Sequence, residues 1–341
     1  MSDAQFLVGC YTPESAPAGV ARISLNSESG ELSFESWEHL TTSPSYLYSN
    51  DKGIYTFNEL SQAKGSRLEF VDKRGKVHTL SSGGDYPCHI DIDSQGQLLA
   101  LAHYGSGTVT VFSLNETGAM QEQIDCLSNP GTGPNLARQE AAHAHMVKFL
   151  CRDDQLAYVD LGTDSIHFYQ LNRASLSLEL SQTLTLSSGS GPRHMVFNRD
   201  ETLAYVVCEL TETVVVLAKV NQQWQVLSEQ RLLPEIEVTE TAAAIKLSTD
   251  ERYVYISCRE QNILACFAVT EQGLSPVQQV MLKGQFPRDF TISQDGLWVV
   301  VANQHSSSLE VWARDKDSGL LSETDHQLDF HQPVCVIEAT G

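Results

Sequence analysis

The stretch Pro192-Arg193-His194-Met195-Val196-Phe197 decides the fold, together with the turn Arg199-Asp200-Glu201 and the apolar run Leu203–Cys208, closed by Glu209. An alternating apolar segment, a polar turn and a second apolar segment read as a β-hairpin. The pattern returns at Pro87-Cys88-His89-Ile90-Asp91-Ile92 with a turn at Ser94-Gln95-Gly96. It returns again at Pro287-Arg288-Asp289-Phe290-Thr291-Ile292 with a turn at Gln294-Asp295-Gly296. Repetition on this scale marks a propeller or a solenoid and outweighs any local propensity.

Copies begin near Pro44, Pro87, His143, Pro192, Ala242, Pro287 and Pro333, in steps of 43 to 56 residues. That spacing fits one four-stranded blade per copy. Third strands are expected at 108–114, 165–171, 213–220, 263–269 and 308–313. The copy at Pro333 stops after Glu338, and the segments 5–10 and 19–25 supply the strands it lacks. The expectation is an all-β chain, one domain over 1–341. It is a seven-bladed β-propeller of four-stranded antiparallel blades, the last blade closed by the N- and C-terminal strands, which removes the open edge. Residues 135–144 account for the longest step and read as a loop over one face.

The formal net charge of −21 argues against nucleic acid and against anionic membrane surfaces as partners. Apolar runs stop well short of the ~18 residues a membrane span needs. The segment Met1-Ser2-Asp3-Ala4-Gln5 lacks the basic and long apolar regions of a secretory leader. The eight cysteines form no CxxC and sit mostly in apolar strand patterns. They read as small buried hydrophobes with reduced thiols, and the expected location is cytoplasmic. Oligomeric state is not legible. Against this acidic background, arginines at repeated hairpin ends mark a local positive site.

Register points to that site. Sixteen residues separate Arg193 from Glu209, and the same offset links Cys88 to Tyr104, Ala144 to Asp160, Ala243 to Arg259 and Arg288 to Gln304. An antiparallel hairpin sets the start of one strand beside the end of the next. Radial packing then gathers Tyr104, Asp160, Glu209, Arg259 and Gln304 in a ring on one face, with His145, Arg193 and Arg288 beside it. A purely structural repeat has no need of such unlike residues. Strand alternation turns His194 away from Arg193. His194, like His89, therefore reads as a packed, hydrogen-bonded histidine at a blade junction, and register aligns His145 with these two. His143 shares the strand face of His145, nearer the cleft mouth. The segment Asp160-Leu161-Gly162-Thr163-Asp164 reads first as a turn and second as a polar wall of the cleft.

On Gly191-Pro192-Arg193-His194-Met195-Val196-Phe197, Cys208-Glu209-Leu210, Ser257-Cys258-Arg259, Phe286-Pro287-Arg288 and Asn303-Gln304, the chain resembles the seven-bladed lactonases. That family includes propeller-type 6-phosphogluconolactonases and fungal carboxymuconate-lactonizing enzymes. The resemblance covers essentially the whole length and implies a central cleft with a His, two Arg and a Glu as active residues. These match His145 (or its neighbour His143), Arg193, Glu209 and Arg259. His143, Tyr104, Asp160, Arg288 and Gln304 are expected to hold substrate, a small anionic lactone. A guanidinium can oppose a tetrahedral oxyanion, an imidazole can activate water, and forked arginines suit phosphate or carboxylate. The plain alternative for Arg193 and Glu209 is a structural ion pair.

No cofactor or metal is expected: His143 and His145 form an HxH pair without an evident third ligand, and no P-loop, dinucleotide fingerprint or nucleophile elbow is present. The expected function is metal-free hydrolysis of a sugar lactone of the 6-phosphogluconolactone type. The alternatives are a carboxymuconate-type lactonizing cycloisomerase and a non-catalytic ligand- or protein-binding propeller. Arg193→Ala or Arg259→Ala is expected to remove most activity at little cost in stability.

Overall fold

Short strands with apolar residues on both faces bury those faces only by stacking sheet on sheet, and a ring of sheets leaves none uncovered. The computed structural model of the chain describes residues 3–12 and 18–339; residues 1, 2, 13–17, 340 and 341 of the expected domain lie outside it. The described strands form seven four-stranded antiparallel sheets. Blade I takes Pro333–Glu338 as its innermost strand, followed outward by Ala4–Cys10, Gly19–Leu25 and Leu32–Leu40. The closing blade is thus shared between the two ends of the chain as expected, with Val8 opposite Val336 and Gly9 opposite Cys335.

Blades II to VII follow in chain order. Their innermost strands are Leu47–Ser49, Pro87–Ile92, Ala144–Leu150, Pro192–Phe197, Ala242–Leu247 and Pro287–Ile292. Each touches its neighbour on either side, and Pro333–Glu338 meets Leu47–Ser49 to complete the ring. The third strands Thr108–Leu114 and Thr213–Val220 lie as the sequence reading placed them, and Ser165–Asn172, Ile263–Thr270 and Ser308–Arg314 run one residue longer. The cores lie between blades. Tyr205, Val207, Val214 and Val216 of blade V pack on Ile245, Val254, Ile256 and Phe267 of blade VI. Each such side chain contributes about 1.5–3 kcal/mol by leaving water.

Two local features aim side chains at the channel. The innermost strand is entered through a residue with positive φ at Ser43, Tyr86, Gly191, Phe286 and Gln332. At Gly191 a Cβ would come within 2.5 Å of Leu210 Cγ, so glycine is required there for space as well as for backbone angle. The pairing then slips by one residue between Pro87 and His89, Ala144 and Met146, Pro192 and His194, and Pro287 and Asp289. Such a bulge breaks strict alternation and re-aims the extra residue. The extra residues are Cys88, His145, Arg193 and Arg288.

Candidate active site at one mouth of the channel

At the end of the channel where the innermost strands begin, one backbone bond recurs in every blade. The N–H groups of Tyr11, Glu59, Tyr104, Leu161, Glu209, Arg259 and Gln304 donate to the carbonyls of Gln332, Ser43, Tyr86, His143, Gly191, Thr241 and Phe286, at 2.7–3.1 Å. These seven residues are the ring. It contains Tyr104, Glu209, Arg259 and Gln304 as expected. It does not contain Asp160, which pairs with Ala144 and is equivalent to Cys208 and Cys258. Leu161 takes the ring position of blade IV instead. The Asp160 side chain is fully buried, and its Oδ1 accepts N–H groups of His143, Gly162 and Thr163 at 2.8, 2.9 and 3.1 Å. It shapes the turn; burial first of all pushes its carboxyl up to about 6, against those hydrogen bonds.

The same pairing corrects the histidines. His145 is equivalent to Arg193 and Arg288, not to His89 and His194. Because of the bulge, Arg193 and His194 both face the channel, with Arg193 Nη1 3.3 Å from His194 Nε2. His89 is not hydrogen-bonded at a blade junction: both its ring nitrogens are buried without a partner. Its ring lies 4.1 Å from that of Tyr46 and 5.5 Å from that of His194, which lies 5.3 Å from that of His145. These aromatic rings form a belt across the channel.

Glu209 is the centre of the upper site. Arg259 Nη2 lies 3.0 Å from its Oε1, and Arg193 Nε lies 3.0 Å from its Oε2 at an angle too bent for a hydrogen bond. Arg138 Nη2 donates to the same Oε1. Burial would raise the Glu209 carboxyl, but the Arg259, Arg193 and Arg138 guanidiniums outweigh it and hold it well below the ordinary carboxylate range. Arg193 is locked by donating Nη1 to Ala243 O at 2.9 Å, and Arg259 by donating Nε to Thr241 O at 3.0 Å. Burial, and then repulsion from Arg259, brings the Arg193 guanidinium down to about 10. Burial, then Arg193, holds His145 well below the usual imidazole value, so it is neutral at pH 7, and its Nδ1 has no partner.

Arg288 lies on blade VII, next to the blade that carries Arg259; its guanidinium stacks 5.4 Å from the Tyr11 ring centre and makes no hydrogen bond among the described residues. Tyr11 donates its hydroxyl to Glu59 at 3.0 Å. His143 stacks on Tyr104 at 4.4 Å and donates its Nδ1–H to the Tyr104 carbonyl oxygen at 2.7 Å. Gln304 lies half-buried at the rim of blade VII, with Oε1 unpartnered.

Three residues here escaped the sequence reading. Tyr11 sits where the two chain ends join. Glu59 closes a hairpin two residues shorter than the others, so the sixteen-residue offset misses it. Arg138 comes from the loop after blade III, outside the repeat, and only its charge could have flagged it.

Beyond the belt, toward the other mouth, lies a cavity of 440 Å³. Tyr46, His89 and His194 form part of its wall, with Lys148 and Lys246. Those lysines pair with Asp91 at 3.1 Å and Asp289 at 3.2 Å. None of the arginines clustered on Glu209 lines it.

Seven blades around a cleft with these residues at one mouth define a class. The family model for "Lactonase, 7-bladed beta-propeller" matches residues 5–338, and the chain belongs to that family. It is 30% identical to the 6-phosphogluconolactonase of Bacillus subtilis (strain 168), over 96% of each chain. A solved structure of a Lactobacillus plantarum protein superposes with a TM-score of 0.90 at 30% identity, covering 98% of this chain and 99% of that one. The periplasmic gluconolactonase of Pseudomonas aeruginosa does so at 0.88 and 27% identity, covering 99% of each.

Proposed function

We propose that the protein hydrolyses a phosphorylated sugar lactone of the 6-phosphogluconolactone class in the cleft around Glu209. The observation that carries this reading is a buried imidazole, His145, set in register with Arg193 and Arg288, with Arg193 3.0 Å from the Glu209 carboxylate. The 6-phosphogluconolactonase and gluconolactonase names among its relatives support it.

In this reading the negative charge of the bound lactone offsets Arg193 and restores basicity to His145, which takes a proton from water as the water oxygen bonds to the lactone carbonyl carbon. Arg193 and Arg259 each keep an unengaged terminal nitrogen among the described residues and oppose the oxyanion. The ring C–O bond then breaks, and the ring oxygen leaves as a hydroxyl with the proton returned by His145. Glu209 is the counter-charge that fixes both guanidiniums; clamped as it is, it is no base. Arg288, the unpaired guanidinium, is the fixed anchor for the anionic group. Eight unpaired cysteines fit a reducing, cytoplasmic setting.

The test is ring opening of fresh 6-phosphogluconolactone by the parent and by Arg193→Lys and Arg259→Lys. Alanine is a poor choice. The two side chains are 4% and 9% exposed, so the expectation of a harmless truncation does not survive their burial. Lysine keeps the charge beside Glu209 and loses the fork. Rates should fall about a hundredfold or more with the fold retained. Parent-like rates in both lysine variants would leave the arginines structural, and a parent that opens no lactone would remove the proposal.

A further inference from the structure

Arg138 stands apart from the other two arginines on Glu209. Its side chain is 33% exposed, against 4% for Arg193 and 9% for Arg259. It is also redundant as a partner. Arg138 Nη2 and Arg259 Nη2 converge on the same Oε1, so that oxygen keeps the Arg259 guanidinium as an ion-pair partner at 3.0 Å if Arg138 leaves. Arg193 and Arg259 are each tied to a backbone carbonyl, whereas Arg138 donates to a side chain, that of Glu209.

The backbone on either side of Arg138 is fastened. Gln139 is fully buried and donates Nε2 to Leu161 O at 2.9 Å and to Asp164 Oδ1 at 2.7 Å. Asn135 reaches across the cleft face to Glu240 Oε2 at 3.1 Å. The guanidinium therefore moves by side-chain rotation alone, from a fixed base. Its surroundings favour an incoming anion: Arg138, Arg193, Arg259 and Arg288 share one cleft with only Glu209 and Glu59 as ring carboxylates. The burial-lowered Arg193 guanidinium, further depressed by its cationic neighbours, registers the same excess.

We propose that Arg138 is a movable anion arm, which leaves Glu209 to close on the phosphate of a bound lactone while Arg288 anchors it from blade VII. The parked position on Glu209 is the resting state, and a phosphate with three acceptor oxygens outcompetes half of a shared carboxylate oxygen. Arg138 then determines preference for phosphorylated over unphosphorylated lactones. This rests on the lactonase reading of the same site.

Arg138→Ala and Arg138→Lys should be assayed on 6-phosphogluconolactone and on unphosphorylated gluconolactone, beside calorimetric titration of inorganic phosphate. The expected result for Arg138→Ala is a loss in kcat/KM on the phosphorylated substrate about tenfold larger than on the unphosphorylated one, mostly through KM. Phosphate should bind about tenfold more weakly to Arg138→Ala, and Arg138→Lys should recover part of both losses. Equal losses on the two lactones, or unchanged phosphate affinity, would overturn the arm. Should the parent open neither lactone, the lactonase reading falls while the phosphate titration still decides the arm.

Discussion

Glu209 is the residue on which the upper site depends. A carboxylate surrounded by three guanidiniums is worth most for what its loss would expose. Glu209→Gln keeps the shape and removes the charge that Arg138, Arg193 and Arg259 share. Its expected cost is about 3–5 kcal/mol of stability, read by chemical denaturation, together with loss of ring opening. A variant as stable as the parent would show that the guanidiniums manage without it. At this scale much was legible: Arg193, Arg259 and Arg288 stand out in an acidic chain, and the hairpin offset links Arg193 to Glu209 and Arg288 to Gln304. Arg138 was not legible, because nothing in a loop outside the repeat says which way its side chain reaches.

The β-bulge is the element that sequence periodicity could not see. Alternation assigns Arg193 and His194 to opposite faces, yet the slipped pairing puts both on the channel. His145 was misplaced for another reason: blade IV was read one residue early, on Asp160 instead of Leu161. Strand boundaries were easier, because apolar runs and turn residues set them directly. The loop that carries Arg138 lies against the turn of blade IV, where Gly162 permits an approach no other residue would. A Cβ there would sit 1.8 Å from Ala141 O. Gly162→Ala must push the loop off, and we expect a cost of about 1–3 kcal/mol and a raised KM for an anionic lactone. Crystallography or paired thermal and kinetic measurements would check it; an unmoved loop with parent KM would contradict it.

At the scale of the whole molecule, the ring of blades encloses histidines that water cannot easily charge. Burial holds His89, His145 and His194 well below the ordinary imidazole value, aided by Arg193 and, for His89 and His194, by Lys246. The sign follows from that direction. As pH falls below about 6.5 the unfolded chain takes up protons that these folded imidazoles refuse, so stability is full above that pH and declines below it. Each histidine contributes up to about 1.4 kcal/mol per pH unit. Denaturation at pH 7.5 and 5.5 should show the loss, and His89→Asn should shrink it by about one proton's worth. An unchanged pH slope in that variant would mean His89 is charged in the folded protein.

The seven backbone bonds that set Tyr11, Glu59, Tyr104, Leu161, Glu209, Arg259 and Gln304 around the mouth use no side-chain atom. The main chain beneath each side chain is therefore pinned whatever that side chain is, although Glu209 and Arg259, and Tyr11 and Glu59, hold each other in place. Leu161 and the Gln304 carboxamide are the positions least committed to the charge cluster. The face is seven addresses on one wheel, and those two can be rewritten without asking the fold to be reinvented.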